Sequence, residues 1–333
     1  MDDFKSLKPA IFELEPGEFE PFALKVFRLQ ATGNEVYRDY LHYLNIDINS
    51  ITDISDIPFL PIQFFKNHKV VTGNWPVQTI FESSGTTGQS RGQHYIEDRH
   101  YYHKNSQAIF ENRFGTLDRY HIIALLPSYL ERTHSSLIEM VNYFMDVSNS
   151  SYSGFYLYDQ QEVIKKLQEL AKLQSRKILL WGVSFALLDL AEKYELDLSK
   201  ALIISTGGMK GRREEITNIE LNNYVKKRWN VPIIHAEYGM TELMSQAYTF
   251  EEYIYRPPSW MRVLIRETND PFEYCPYGKS GVVNVIDLAN LHSCAFIATD
   301  DLGVAHKDGF EIFGRLDNSD MRGCNLMLSD ISG

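Results

Sequence analysis

The residues best placed to do chemistry fall in short glycine- and hydroxyl-rich segments. Glu82-Ser-Ser-Gly-Thr-Thr-Gly-Gln-Ser-Arg-Gly92 packs three glycines and five hydroxyls into eleven residues. Glycines let backbone N–H groups converge on one point and hydroxyls add donors, which suits phosphate oxygens. The Gly-Lys-Ser/Thr ending of a Walker A loop is missing. Pro127–Ser135 places Arg132 and His134 just before a helical pattern, where a helix N-terminus favours anions. Thr206-Gly-Gly-Met-Lys-Gly-Arg-Arg213 offers a Gly-Gly pair that permits close backbone approach to a flat ligand. Ala236-Glu-Tyr-Gly-Met-Thr-Glu-Leu243 sets a ring, a glycine, a hydroxyl and a carboxylate close together, able to stack a base, bond a phosphate and hold a divalent cation. Thr299-Asp-Asp-Leu-Gly303 and Phe313-Gly-Arg315 flank a hairpin, with carboxylates suited to a ribose diol and an arginine suited to phosphate. Each segment has a plainer reading as a flexible loop, a helix cap or a turn.

The elements that must position these segments are short apolar runs. Val77–Phe81, Tyr120–Leu126, Lys177–Trp181, Ala201–Ser205 and Val231–His235 read as strands, most of them leading into helical patterns. Alternating strands and helices predict a mostly parallel sheet with crossover helices, whose ligands gather at the carboxyl ends of the strands. Ser136-Leu-Ile-Glu139 reads as a capping box opening a helix through Met145. A second helix is expected from about Arg213 to Trp229, with Ile216, Ile219, Tyr224 and Val225 facing inward. Residues 1–75 read as a helical N-terminal segment and 76–249 as an α/β core. Residues 250–333 form a β-rich subdomain with a polar tail. There, Val263–Arg266, Gly281–Asp287, Ala295–Thr299 and Phe310–Phe313 suggest a small antiparallel sheet.

Composition sets outer bounds. The 333 residues are 44% hydrophobic and 23% charged, which fits a folded globular protein. The net charge of −11 opposes general nucleic-acid binding but allows one nucleotide in a local pocket. No run approaches the roughly 18 apolar residues of a membrane helix. The start carries no signal-peptide core, so a cytoplasmic protein with no membrane span is expected. The three cysteines, Cys275, Cys294 and Cys324, form no CxxC pair, which argues against a disulfide framework or a zinc site.

In this order, SSGTTG (83–88), TGG (206–208), YGMTE (238–242), TDDLG (299–303) and FGR (313–315) resemble the adenylate-forming superfamily, which activates carboxylates with ATP. TGGMKG, YGMTEL and the late RGCNL (322–326) resemble most its acyl-protein synthetase (LuxE) family, the long-chain-fatty-acid–protein ligases. The matched segments span about three quarters of the chain. The resemblance implies an α/β adenylating large domain, with a small antiparallel β subdomain and without the usual mobile lid, since about 18 residues follow Arg315.

It also implies roles. Ser84, Gly85, Thr86, Thr87 and Gly88 would cradle the ATP phosphates. Gly207 and Gly208 would border adenine, and Tyr238 with Gly239 would stack on it. Thr241 would bond the α-phosphate and Glu242 would place Mg²⁺. Asp301 would bind ribose, Arg315 would contact ribose or phosphate, and Cys324 would accept the acyl group. Cys275 and Cys294 are left as structural. The partner implied is an acyl reductase or another acyl-acceptor protein. The sequence departs from the superfamily pattern in three places, one of them the expected lack of the lid domain with its catalytic lysine. The lysine after the phosphate loop is absent, with Arg91 the nearest cation, and Asp300 stands where TGD has its glycine. Lys210 and Arg322 are candidates to supply the charge of the lid domain's catalytic lysine. Trp181, Val183 and Phe185 could line an acyl pocket, or simply be core. Two alternative functions stay open: acyl transfer to coenzyme A or a carrier-protein thiol, as in phenylacetate–CoA ligases, and non-catalytic nucleotide or acyl binding.

Overall fold

A computed structural model describes residues 2–84, 90–128, 133–173, 175–207, 218–250 and 253–316. In chain order the elements begin with helices α1 (Asp2–Ala10), α2 (Phe19–Gly33) and α3 (Glu35–Tyr43), strand β1 (Leu60–Pro61) and helix α4 (Phe64–Asn67). Strands β2 (Thr79–Glu82) and β3 (Gln93–Ile96), helix α5 (Arg99–Phe114), strand β4 (Tyr120–Leu125), helix α6 (Ser136–Ser148) and strand β5 (Gly154–Phe155) follow. Next come α7 (Gln160–Leu173), β6 (Lys177–Val183), α8 (Ser184–Lys193), β7 (Leu202–Thr206), α9 (Asn218–Trp229) and β8 (His235–Tyr238). Strands β9 (Ala247–Thr249), β10 (Tyr255–Arg256), β11 (Met261–Arg266), β12 (Ser280–Asp287), β13 (Phe296–His306) and β14 (Gly309–Arg315) complete them. Contacts divide the chain into two units, Met1–Asn74 with Ser259–Gly333, and Trp75–Pro258. The fold class is mixed α/β, as the alternating pattern predicts. Among the described residues no helix is long and apolar enough to cross a membrane.

In the unit Trp75–Pro258 the strands run in the order β10-β9-β8-β7-β6-β4-β5. The β5–β4, β4–β6, β6–β7 and β7–β8 pairs are parallel, and β9 turns back antiparallel on β8. β4 is buried along its whole length, the mark of a central strand covered on both faces. On one side α7, α8 and α9 build a core from Leu167, Leu180, Leu187, Leu190, Ile203 and Trp229. Burying such side chains contributes roughly 1.5–3 kcal/mol each.

Several expectations are corrected here. The run at Val77–Phe81 does not join the parallel series. It forms β2, an antiparallel partner of β3, because the ten residues 83–92 are too few for a parallel crossover. The run at Val231–His235 lies too early. The strand is His235–Tyr238, while Val231 and Ile234 are buried in the helical-face core and Pro232 lacks the N–H a ladder needs. Ser135, not Ser136, caps α6, with Ile138 N donating to its Oγ. Glu139 turns away to meet His103 Nε2 at 2.7 Å and Arg99 Nε at 3.6 Å. The inner face of α9 is Leu221, Val225 and Trp229, one turn apart, whereas Ile219 is 54% exposed and Tyr224 41%. Arg213 and Ile216 lie outside the described residues.

In the other unit, β11-β12-β13-β14 form an antiparallel meander, and β1 joins β13 in parallel. The N-terminal helices pack here through buried polar anchors. Gln30 Nε2 donates to the Asn290 and Leu291 carbonyls, and Asn34 Nδ2 to that of Ser293. Thr299–Gly303 lies within the eleven-residue β13 rather than in a turn. Strand alternation therefore sends its two carboxylates to opposite faces. Asp301 is buried, while Asp300 accepts Gln63 Nε2 at the surface at 2.7 Å.

Candidate active site

Three turns in the unit Trp75–Pro258 carry most of the expected site, all at carboxyl ends of strands. The first follows β2. Ser83 N donates to Gly92 O at 2.9 Å, and Gly92 N returns a bond to Ser83 Oγ at 2.8 Å. These two bonds close the neck of the Ser/Gly loop. Ser84 lies at this neck, while Gly85, Thr86, Thr87 and Gly88 are outside the described residues. Arg91 pairs with Glu82, 3.3 Å away.

The second turn follows β7. Gly207 has φ +65°, and among the described residues no atom stands within 4 Å of where a Cβ would be, so its backbone can take a flat ligand at close range. The Ser184 hydroxyl donates to Gly207 O at 2.7 Å and fixes that turn from α8. Gly208 and Lys210 are outside the described residues.

The third turn follows β8. Tyr238 is buried, its ring 5.8 Å from that of Tyr255 and its hydroxyl 3.8 Å from Met240 Sδ. His94 of β3 donates through Nδ1 to the Thr241 carbonyl at 2.8 Å, which fixes its tautomer. Asn105 of α5 donates to Met244 O at 2.7 Å. Glu242 is buried, and a Cβ added to Gly92 would lie 2.5 Å from its Oε1. The glutamate of YGMTE thus packs against the neck of the SSGTTG loop, about 150 residues away in sequence.

Sequence reasoning missed two connections. Glu237 caps no helix. Its Oε2 accepts the Thr206 hydroxyl at 2.5 Å, joining the ends of β7 and β8. Burial pushes this carboxyl up to about 7, against a smaller opposite pull from Thr206. The signal was present in Thr206, the residue before Gly-Gly, and Glu237, the residue before Tyr-Gly, which are adjacent only once the strands pair. His94, four residues into a polar stretch, carried no signal.

In the other unit Asp301 and Arg315 are cross-strand partners in the β13–β14 ladder, with Nε to Oδ1 at 3.3 Å. The Asp301 side chain is 9% exposed and the Arg315 side chain 71%, so the arginine keeps donors open to solvent. Asp301 N donates to Thr299 Oγ1, which in turn donates to Val283 O.

The remaining candidates separate clearly. Trp181 is fully buried among Phe110, Phe144 and Tyr248, and Val183 and Phe185 lean on the helical-face core. Cys294 is fully buried, its thiol pushed up to about 12 by burial, and Cys275 is also raised; neither is a reactive thiolate. His134 is drawn to the Ile80 carbonyl of β2. Arg132, Arg322 and Cys324 lie outside the described residues. Among the described residues no group of three His, Cys, Asp or Glu side chains gathers as a metal site.

The fold is that of adenylate-forming enzymes. It matches ATP-bound MatB from Rhodopseudomonas palustris (TM-score 0.55, 16% identity, 72% of this chain and 48% of that one). It also matches the long-chain-fatty-acid-CoA ligase FadD1 from Archaeoglobus fulgidus (0.52, 17%, 74% and 54%). A third match is the AMP complex of the O-succinylbenzoate coenzyme A synthetase MenE from Bacillus subtilis (0.52, 16%, 72% and 50%). The chain spans about half the length of these solved relatives. No curated protein matches the chain. The profile of the family described as acyl-protein synthetase, LuxE, matches residues 13–332, and the chain belongs to that family.

Proposed function

We propose that this protein activates an acyl carboxylate, of the fatty-acid type, with ATP and passes the acyl group to a thiol as a long-chain-fatty-acid–protein ligase would. The observation that carries the reading is the packing of Glu242 against the Ser83–Gly92 neck. It draws a carboxylate, the Thr241 hydroxyl-bearing turn and a phosphate-type loop together at the strand ends where α/β ligands bind.

The residues present fit a nucleotide. Among the described residues nothing crowds the backbone of Gly207, and the turn bearing Thr241 is anchored through its carbonyl by His94, with the Thr241 hydroxyl assigned to a phosphate. When bound, Mg²⁺ would be held by Glu242 with substrate phosphates completing its shell, and would neutralise charge on those oxygens. The substrate carboxylate attacks the α-phosphorus. The bond to pyrophosphate breaks and an acyl-adenylate forms. Ser84, Gly85, Thr86, Thr87 and Gly88 supply donors to the phosphates, with Thr241 at the α-phosphate. Gly208, Tyr238 and Gly239 are assigned to adenine, and Asp301 with Arg315 to ribose and phosphate. The Cys324 thiolate then attacks the acyl carbon. The C–O bond to phosphate breaks, AMP leaves, and the thiol proton passes to solvent. An acyl reductase or another acceptor protein would take the acyl group onward.

The test is carboxylate-dependent ATP–pyrophosphate exchange across a panel of acyl chains, run beside acyl labelling of the protein. Exchange with a label lost in Cys324→Ser is the expected result. No exchange with any chain would defeat the adenylation reading. A second reading is favoured by the two coenzyme A ligases among the solved relatives. In it the acceptor is coenzyme A or a carrier-protein thiol, and Cys324→Ser leaves thioester formation intact with no label on the protein.

A further inference from the structure

We infer that Glu237 is a positioning residue whose charge state governs how tightly the signature turns hold ATP; this rests on the adenylation reading. Thr206 and Glu237 are partners in the β7–β8 ladder, and the Thr206 hydroxyl donates to Glu237 Oε2 at 2.5 Å. One residue beyond Thr206 is Gly207, and one beyond Glu237 is Tyr238, so the bond ties the roots of two turns together. Gly239 leaves room for the carboxylate beneath its own turn, since a Cβ there would collide with Glu237 Oε1.

The surroundings isolate this carboxyl. Tyr248 of β9 lies opposite it in the ladder and Tyr102 of α5 feels its charge. Both phenols are pushed up by burial and stay neutral at ordinary pH. Tyr102 also feels Glu139 of α6, which is paired with His103 and Arg99. Thr206 of β7 is the hydrogen-bond donor, and Trp181 of β6 closes the far side of Tyr248 with ring centroids 6.1 Å apart. Among the described residues no cation pairs with Glu237. His235, two residues back on β8, donates through Nδ1 to Thr249 O and is held towards its neutral form by burial, so the group whose charge changes near neutrality in this interior is Glu237.

Protonated, it is a neutral tie between two strand ends. Ionised, it places a negative charge in a water-poor interior one residue from each turn, where it repels the phosphates of ATP more strongly than it could through water. Nucleotide affinity should fall as pH rises through about 7, while the rate at saturating ATP changes little.

The experiment is calorimetric ATP binding at pH 6 and pH 8, with exchange kinetics alongside, for the wild type and Glu237→Gln. Glutamine keeps an acceptor for Thr206 but cannot ionise, and the nucleotide's own ionisation is common to both proteins. The wild type should weaken by about tenfold more than the variant between the two pH values, the effect of one pKa unit of coupling, with the loss in KM rather than kcat. Parallel pH dependences would overturn the inference alone. A wild type that binds no ATP at either pH would overturn the adenylation reading instead. Should the glutamine variant fail to fold, carbon NMR of the labelled Glu237 carboxyl in the wild type decides: titration near 4.5 rather than 7 refutes the proposal.

Discussion

Two acids, Asp301 in one unit and Glu237 in the other, are held in opposite ways. In the antiparallel meander Asp301 faces Arg315 directly across the ladder, so its charge is answered by a cation set by strand register. In the parallel sheet Glu237 is answered by one hydroxyl, and burial pushes it towards neutrality. A parallel sheet covered on both faces leaves little room for solvated cations at its strand ends. Arg315, at the last position of β14, keeps most of its side chain in solvent. Asp301 is thus a fixed anion, whereas the charge of Glu237 depends on conditions.

The strongest challenge to this contrast is at Glu242. Glu242→Ala should lower exchange by about 10²–10³-fold, the cost of one well-placed charge-stabilising group. A drop of only a few-fold would place the phosphate chemistry elsewhere. Glu237→Gln comes next, through stability. The folded state holds the Glu237 proton more tightly than the unfolded chain does. The wild type therefore loses stability as pH rises from about 4.5 towards 7, and carries the full cost above it. Glu237→Gln should match the wild type at pH 5 and exceed it by up to roughly 3 kcal/mol at pH 8, as a shift of this size allows. Denaturant melts at the two pH values measure it, and a gap that does not grow with pH would remove the contrast. Asp301→Asn should raise KM for ATP by about tenfold, consistent with the loss of one charge-assisted contact of roughly 1.4 kcal/mol. The smallest effect is expected of Arg315→Ala on stability. With its side chain so exposed, the pair contributes about 0–1 kcal/mol, and urea unfolding should show no more.

Much of this arrangement is legible in the order of the amino acids. β4, β6 and β7 fall where the apolar runs place them, because strands buried on both faces are written as unbroken hydrophobic stretches. β8 does not. Val231 and Ile234 are apolar for the sake of the helical face, and the strand proper, His-Ala-Glu-Tyr, is too polar to announce itself. Of the candidate site, YGMTE, Gly207 and the loop neck stand out as segments, yet their connections are hidden. Ser83 with Gly92 and Glu242, His94 with Thr241, and Thr206 with Glu237 meet only through pairing and crossover. Glu139 shows the reverse error. A local capping rule assigns it to its own helix, while a histidine one helix away provides a partner for its carboxylate.

The hydrogen bonds from Gln30 and Asn34 to residues around 290, with the short β1–β13 pairing, carry a consequence for synthesis. Translation runs from the N-terminal side, so α2 and α3 emerge long before the segment between β12 and β13 whose carbonyls satisfy the Gln30 and Asn34 amides. Trp75–Pro258 is continuous in sequence and has its own core, so it is expected to fold while those helices wait. Residues 1–74 would then become protease-resistant after Trp75–Pro258, although they are made before it. That delay makes them the natural point for chaperone contact on the nascent chain.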